Sequence, residues 1–186
     1  MSAIDILTKL NGIDVDLLDP LHRILLVTDG TLTEILEANF FERICLVKIS
    51  QEVICATASH ALLDPRPGEA LIERKILLQG EESRRNYAYA ESLIAVDRLS
   101  RSFRDELLNS TTPLGRLWLE HKLETFKELP ELGWHRADHL CRYFECADSA
   151  PLLVRTYRVF SFTRPVMVIT EYFPTSYSQN GAKGPE

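Results

Sequence analysis

The chain has 186 residues, of which 45% are hydrophobic and 26% are charged, and 21 basic against 27 acidic side chains give a formal net charge of −6. This composition is typical of a single soluble globular domain and excludes disordered, fibrous and membrane-spanning proteins, since no apolar run approaches the about 20 residues that cross a bilayer. The acidic balance argues against a general nucleic-acid binder, and the opening MSAIDILTKL lacks a secretory signal pattern, so we expect a cytoplasmic protein.

A helical hairpin is predicted near the start of the chain. Residues 16–28 carry apolar side chains at helical spacing, and Asp19 and Pro20 fit the cap and first turn of that helix. A glycine-containing turn ends it. Thr31 then stands three residues before Glu34, which is the capping-box pattern of a second helix.

From residue 43 the hydrophobic period changes to two, which is typical of strands. A first strand pair is predicted at 44–49 and 52–57, joined near Ser50. Further strands are predicted at 70–79, 86–96, 152–162 and 166–173. Between the second and third of these we predict helices near 100–108 and from Thr112, and a strand near 122–128. Residues 130–150 are expected to form either a helix near 136–144 or an ordered excursion.

These elements predict an α+β fold, a mostly antiparallel β-sheet with helices packed on it. We expect one domain over residues 1–175. Residues 176–186, SYSQNGAKGPE, lack apolar content and are predicted to form a disordered tail.

Alternate residues of a strand lie on the same face of the sheet. Grouped in this way, three charged side chains stand among apolar residues: Arg74, Arg158 and Glu171. A buried unpaired charge is costly, so two interpretations are open. Arg74 and Glu171 form a structural ion pair, or a bulge turns one of them outward. Alternatively a pocket lies on the sheet, with Arg74 gripping a carboxylate and Glu171 handling a proton.

A second anion receptor is suggested by the sequence Thr112, Pro113, Leu114 and Gly115. Threonine and proline followed by glycine form a helix start whose free backbone N–H groups can receive a carboxylate, although a plain helix cap explains the same residues.

Four soft metal ligands stand close together in the sequence: His135, His139, Cys141 and Cys146. Their spacing matches none of the usual zinc arrangements, so we expect no metal. The chain also contains no GxSxG, P-loop or GxGxxG motif, which removes the usual support for hydrolase, NTPase and dinucleotide functions.

Seven segments between Leu18 and Pro174 carry a family resemblance. In order along the chain they are DGTLT (29–33), RKILL (74–78), AESLIA (90–95), TPLG (112–115), ETFK (124–127), YRV (157–159) and PVMVITE (165–171). Together they resemble the chorismate pyruvate-lyase family, in its mycobacterial and cyanobacterial-type branch that forms 4-hydroxybenzoate.

The resemblance implies a sheet with helical flaps over a buried site. It also implies elimination of the enolpyruvyl group of chorismate to give 4-hydroxybenzoate and pyruvate, without a cofactor. Arg74 matches the family's arginine for the ring carboxylate, and Glu171 its carboxylate near the ring hydroxyl and ether oxygen. Leu32 and Leu114 match positions whose backbone groups line the site, with Thr31 and Gly115 beside them in the same segments.

One position departs from the enterobacterial type of the family, which has an arginine where Glu91 stands here. Recognition of the enolpyruvyl carboxylate is therefore expected to differ, with Arg158 or Arg155 as candidate substitutes. The alternative function is a non-catalytic effector-sensing domain, because some bacterial transcription regulators share this fold. We expect an enzyme acting on a small molecule, as a monomer or small homo-oligomer.

Overall fold

A computed structural model describes residues 3–7, 14–57, 60–122 and 125–177. Its centre is a six-stranded antiparallel sheet. The strands are β1 (Ile44–Cys55), β2 (Ala70–Gly80), β3 (Asn86–Ala95), β4 (Thr125–Arg136), β5 (Pro151–Ser161) and β6 (Arg164–Pro174). The helices are α1 (Ala3–Leu7), α2 (Pro20–Val27), α3 (Leu32–Phe40), α4 (Arg101–Asn109), α5 (Leu114–Glu120) and α6 (Cys141–Phe144). The predicted α+β class is confirmed.

The strand order is β1-β2-β3-β6-β5-β4. The sheet therefore consists of two three-stranded meanders, β1 to β3 and β4 to β6, which meet where β3 pairs with β6. No helix in the described ranges is both long enough and apolar enough to span a bilayer.

The predicted helical hairpin is confirmed as α2 and α3. The Asp19 carboxylate caps α2 by accepting a hydrogen bond from the His22 backbone N–H at 3.1 Å, with Pro20 in the first turn. Thr31 is the N-cap residue of α3, but its side chain makes no cap hydrogen bond. Its methyl group instead lies against Gly115, where an added Cβ would come within 2.7 Å of it. Glycine at 115 thus lets the starts of α3 and α5 touch.

The strand pair predicted at 44–49 and 52–57 is wrong, because the structure has one continuous strand, β1. A register shift between Lys48 and Ser50 marks a β-bulge, which absorbs one residue without reversing the chain. The segment Ser50-Gln51 contains none of the glycine, proline or asparagine residues that a tight hairpin turn favours.

The segment between β4 and β5 also differs from its prediction. The strand predicted at 122–128 runs on to Arg136, and the helix predicted near 136–144 is reduced to a 3₁₀ turn at Asp138–Leu140 followed by α6. At the other end, Tyr177, which falls within the predicted tail, donates a hydrogen bond to the Tyr87 carbonyl at 3.0 Å. Residues 178–186 lie outside the described part of the chain.

Two apolar clusters cover the face of the sheet that carries the helices, which we call the inner face. Helices α2 and α3 pack at one end, where Leu25 and Leu36 are fully buried against Leu78 and Phe173. Helices α4 and α5 pack at the other end, where the fully buried residues are Ile72, Ile94, Phe103, Leu107, Leu117, Val159 and Met167. Between these clusters the inner face carries polar side chains.

Candidate active site

The two middle rows of the inner face follow from strand register, since directly opposed residues in antiparallel strands share a face. The first row runs across Lys48, Ile76, Ala90, Glu171 and Arg155. The second row runs across Gln51, Arg74, Ser92, Ile169 and Tyr157. These rows place the charged side chains between two apolar clusters.

A cavity of about 450 Å³ opens above these rows. Its walls are the loop 29–33 at the start of α3, residues 113–115 with Trp118 and Leu119 of α5, and residues 125–127 of β4. Of the predicted site residues, Thr31, Leu32, Leu114, Gly115 and Glu171 line this cavity.

Glu171 is fixed by two hydrogen bonds in the cavity wall, with only 5% of its surface exposed. Arg155 Nε donates to Glu171 Oε2 at 2.5 Å, and the Tyr157 hydroxyl donates to Oε1 at 2.9 Å. Burial and the charge of Glu171 hold the pKa of Tyr157 well above its ordinary value, so the phenol keeps its proton and remains a donor. Both carboxylate oxygens are thus held in one orientation.

Arg155 connects this carboxylate to the helical hairpin. Its Nη1 donates to the carbonyl oxygens of Leu25 and Thr28, at the carboxyl end of α2 where backbone acceptors are free. Burial opposes its charge, but Glu171, Tyr157 and Asp29 together outweigh burial and raise the pKa of Arg155. Arg155 is therefore a charged residue whose Nε and Nη1 join the sheet to the end of α2.

Arg74 is equally buried, at 1% exposure, yet none of its three guanidinium nitrogens has a hydrogen-bond partner within the described part of the chain. Burial lowers the pKa of Arg74 to about 10. Arg74 is not among the residues that line the cavity, but its register partner Ser92 and Ile76, two residues along β2, both line it. The ion pair considered between Arg74 and Glu171 is absent, because Arg155 takes that position. A buried guanidinium with unused donors can bind an anion that supplies the missing acceptors.

A lysine absent from the predicted site residues completes the cavity. Lys127 Nζ donates to the carbonyl oxygens of Asp29 at 2.9 Å and Gly30 at 3.3 Å. It also lies over the rings of Trp118 and Tyr157, 5.6 Å and 5.3 Å from their centroids. Burial, reinforced by the charge of Arg155, lowers the pKa of Lys127. Its only sequence signal was its place in the ETFK segment.

Two predicted site residues lie outside the cavity. Glu91 is on the other face of the sheet, which we call the outer face, where it accepts a hydrogen bond from the Tyr89 hydroxyl at 2.8 Å and faces Lys75 at 3.8 Å. Arg158 pairs with Glu128, its neighbour across β4 and β5. Glu91 and Arg158 point away from the cavity because each is one residue along its strand from a residue of the inner-face rows. Arg155 occupies the cavity position suggested for Arg158.

The soft ligands between β4 and β5 do not converge. The His135 ring packs edge-on against Tyr172, and Cys141 Sγ donates to Asp148. In residues 3–7, 14–57, 60–122 and 125–177, no group of three histidine, cysteine or acidic side chains is arranged to hold a metal ion.

Comparisons with known proteins agree with this geometry. A family model described as "Chorismate pyruvate-lyase Rv2949c-like" matches residues 26–180. The chorismate pyruvate-lyase of Mycobacterium leprae is 31% identical over 163 residues, covering 85% of this chain and 76% of that protein. Its counterpart in Mycobacterium tuberculosis H37Rv is 30% identical over 169 residues, covering 81% and 78%.

Among solved structures, the effector domain of PhnF from Mycobacterium smegmatis superposes with a TM-score of 0.61, covering 80% of this chain and 90% of that one. Sequence identity is 9%, so this likeness concerns the fold alone.

Proposed function

The chain belongs to the Rv2949c-like chorismate pyruvate-lyase family, and we propose that it eliminates the enolpyruvyl group of chorismate to give 4-hydroxybenzoate and pyruvate. The observation that carries the proposal is the pair of buried groups at one cavity. Arg74 has unused donors, and Glu171 is held rigidly by Arg155 and Tyr157. A carboxylate receptor beside a fixed carboxylate suits a hydroxylated, carboxylated ring.

Arg74 is proposed to bind the ring carboxylate of chorismate. A planar guanidinium matches a carboxylate with two parallel hydrogen bonds, which fixes the orientation of the ring as well as its position. Because burial already disfavours the charge of Arg74, an anion that restores its hydrogen bonds gains more here than at an exposed arginine.

Glu171 is proposed to act at the reacting carbons. In the elimination, the bond from the ring to the ether oxygen breaks with its electron pair going to oxygen. The neighbouring ring carbon loses a proton, and the released enolpyruvate gains one to become pyruvate. Electrons balance within the substrate, and the gain in aromaticity drives the reaction. The protein must orient the ring, exclude water and stabilise developing charge, for which the held carboxylate of Glu171 at the ring hydroxyl and ether oxygen is suited.

The alternative function, an effector-sensing domain, has less support. The regulatory domain from Mycobacterium smegmatis shares the fold at 9% identity, whereas the relatives at 30% and 31% identity are lyases. An effector domain also needs no carboxylate fixed by two donors beside its ligand receptor.

The test is conversion of chorismate by the purified protein with a metal chelator present and no added nucleotide. Chromatography is expected to show 4-hydroxybenzoate and pyruvate in equal amounts. Product no greater than the slow uncatalysed background would refute the lyase proposal. Formation of 3-hydroxybenzoate would keep a lyase but overturn the assigned product.

A further inference from the structure

We propose that Lys127 binds the second carboxylate of chorismate, the one on the enolpyruvyl group, and so selects substrate over product. The inference deepens the proposed function and rests on it. Chorismate is a dianion, so a site that uses Arg74 for the ring carboxylate needs another positive charge for the side chain. The product 4-hydroxybenzoate keeps only the ring carboxylate.

Among the described residues, the charges that line the cavity leave Lys127 as the cation for this role. Arg155 is neutralised by its ion pair with Glu171. Lys127 has no acidic partner within salt-bridge distance in the described part of the chain, and its hydrogen bonds go to uncharged backbone carbonyls. An ammonium has three donors, so Lys127 can take a carboxylate while keeping part of its present bonding.

The position of Lys127 in the sheet fits the shape of the substrate. Arg74 is on β2, Glu171 on β6 and Lys127 on β4, so two strand steps separate Glu171 from each cation. At about 4.8 Å per step, the two cations start about 19 Å apart along the sheet, and their long side chains shorten that gap. In chorismate the ether that breaks lies between the two carboxylates, just as Glu171 lies between Arg74 and Lys127.

The surroundings of Lys127 strengthen its pull on an anion. Its ammonium lies over the rings of Trp118 and Tyr157, which partly cover it. The carbonyls it now contacts belong to Asp29 and Gly30, in the loop that leads into α3. A carboxylate arriving here competes with neutral acceptors only, and an ionic partner is stronger.

The same placement explains how the chain does without an arginine at position 91. Glu91 lies on the outer face, bonded to Tyr89 and facing Lys75, so Glu91 does not reach the cavity. The positive charge comes instead from β4, at the opposite edge of the sheet.

The experiment compares Lys127→Met with Lys75→Met. Methionine keeps a flexible stem over the two rings and removes only the charge, and Lys75 supplies a lysine on the outer face as the matched control. Two quantities are measured for each protein: kcat/KM for chorismate, and Kd for 4-hydroxybenzoate by calorimetric titration.

We expect Lys127→Met to lower kcat/KM for chorismate about 10- to 100-fold, the range for losing a hydrogen bond to a charged group, with Kd for 4-hydroxybenzoate changed less than twofold. Lys75→Met leaves both unchanged. Lys127→Arg keeps the charge and is expected to recover most of the loss, which a packing role would not produce.

Equal weakening of both ligands in Lys127→Met, or unchanged kcat/KM, overturns the inference while leaving the lyase proposal intact. If Lys127→Met does not fold, Lys127→Arg is the deciding variant, because it keeps the positive charge. A 10- to 100-fold loss of kcat/KM in Lys127→Arg, with normal binding of 4-hydroxybenzoate, would contradict recognition by charge. A wild-type protein that neither converts chorismate nor binds 4-hydroxybenzoate refutes the proposed function itself.

Discussion

The two meanders of the sheet each bury one arginine to 1% exposure on the inner face, with opposite consequences. In the second meander, Arg155 bonds to Glu171 and to the carbonyls of Leu25 and Thr28. In the first, Arg74 has no hydrogen-bond partner among the residues that the structure describes. Burial alone therefore does not reveal a side chain's role. We infer that the satisfied arginine, Arg155, serves the fold, and that the unsatisfied one, Arg74, keeps its donors for the proposed ligand.

Removal of Arg155 tests the satisfied half of this comparison. Arg155→Met leaves the Glu171 carboxylate buried without its cation, and it frees two backbone carbonyls of α2 as well. We expect the free energy of unfolding to fall by about 3–5 kcal/mol, measured by urea denaturation. The double variant Arg155→Met/Glu171→Gln is expected to recover part of this loss. Full stability in the single variant would mean that the ion pair does not hold the fold.

Glu171→Gln tests whether the fixed carboxylate also works in the reaction. Glutamine keeps the size and hydrogen-bonding capacity but loses the charge, so we expect kcat for pyruvate release to fall about 10²-fold. Glu128→Gln makes the same chemical change beside Arg158, outside the cavity, and is expected to keep normal kcat. Near-normal kcat in a folded Glu171→Gln variant would reduce Glu171 to a structural residue.

Arg74→Lys and Arg74→Met test the unsatisfied half. A point-charge ammonium does not replace a two-point guanidinium, so we expect Kd for 4-hydroxybenzoate to rise about 10- to 100-fold in both variants. The melting temperature of ligand-free Arg74→Met should hold or rise, because the change removes a desolvated charge that has no partner. A large loss of stability with unchanged affinity in Arg74→Lys would reverse the assignment.

The pH dependence of KM gives a smaller effect that separates substrate from product recognition. Lys127 faces Arg155, Glu171, Asp29 and Tyr157, and burial with the Arg155 charge lowers the pKa of Lys127 below 10.5. The ammonium is therefore lost earlier than in free lysine as pH rises. We expect KM for chorismate to increase several-fold as pH rises through that pKa. Lys127→Arg is expected to show a smaller increase, which comes from Arg74 with its pKa of about 10.

Local sequence pattern is enough to identify a buried charged residue when only one face of its strand is clearly apolar. Arg74 and Glu171 each stand alone among aliphatic or aromatic residues two positions apart, and both are buried on the inner face. The same reasoning fails for β5, because both of its faces carry an arginine. Which arginine lies on the inner face is decided by the register of β5 against β6, which places Arg155 opposite Glu171. That register depends on contacts between strands and cannot be obtained from local sequence.

Lys127 shows the second limit of sequence reasoning. In the sequence it is an ordinary lysine in a strand, flanked by residues that an edge strand commonly carries. Its burial comes from Trp118 on α5 and Tyr157 on β5, and its hydrogen bonds come from the turn between α2 and α3. Because these contacts join distant parts of the chain, no local period marks the residue.

The pairing of β3 with β6 has a consequence for folding kinetics. Each meander closes through neighbouring strands, but this seam joins segments far apart in the chain, and closing such a contact is entropically slow. Arg74 lies on one side of the seam, and Glu171 and Lys127 lie on the other. An intermediate with both meanders formed and the seam open would therefore be inactive, so recovery of activity during refolding should coincide with protection of the β3 and β6 amides from hydrogen exchange.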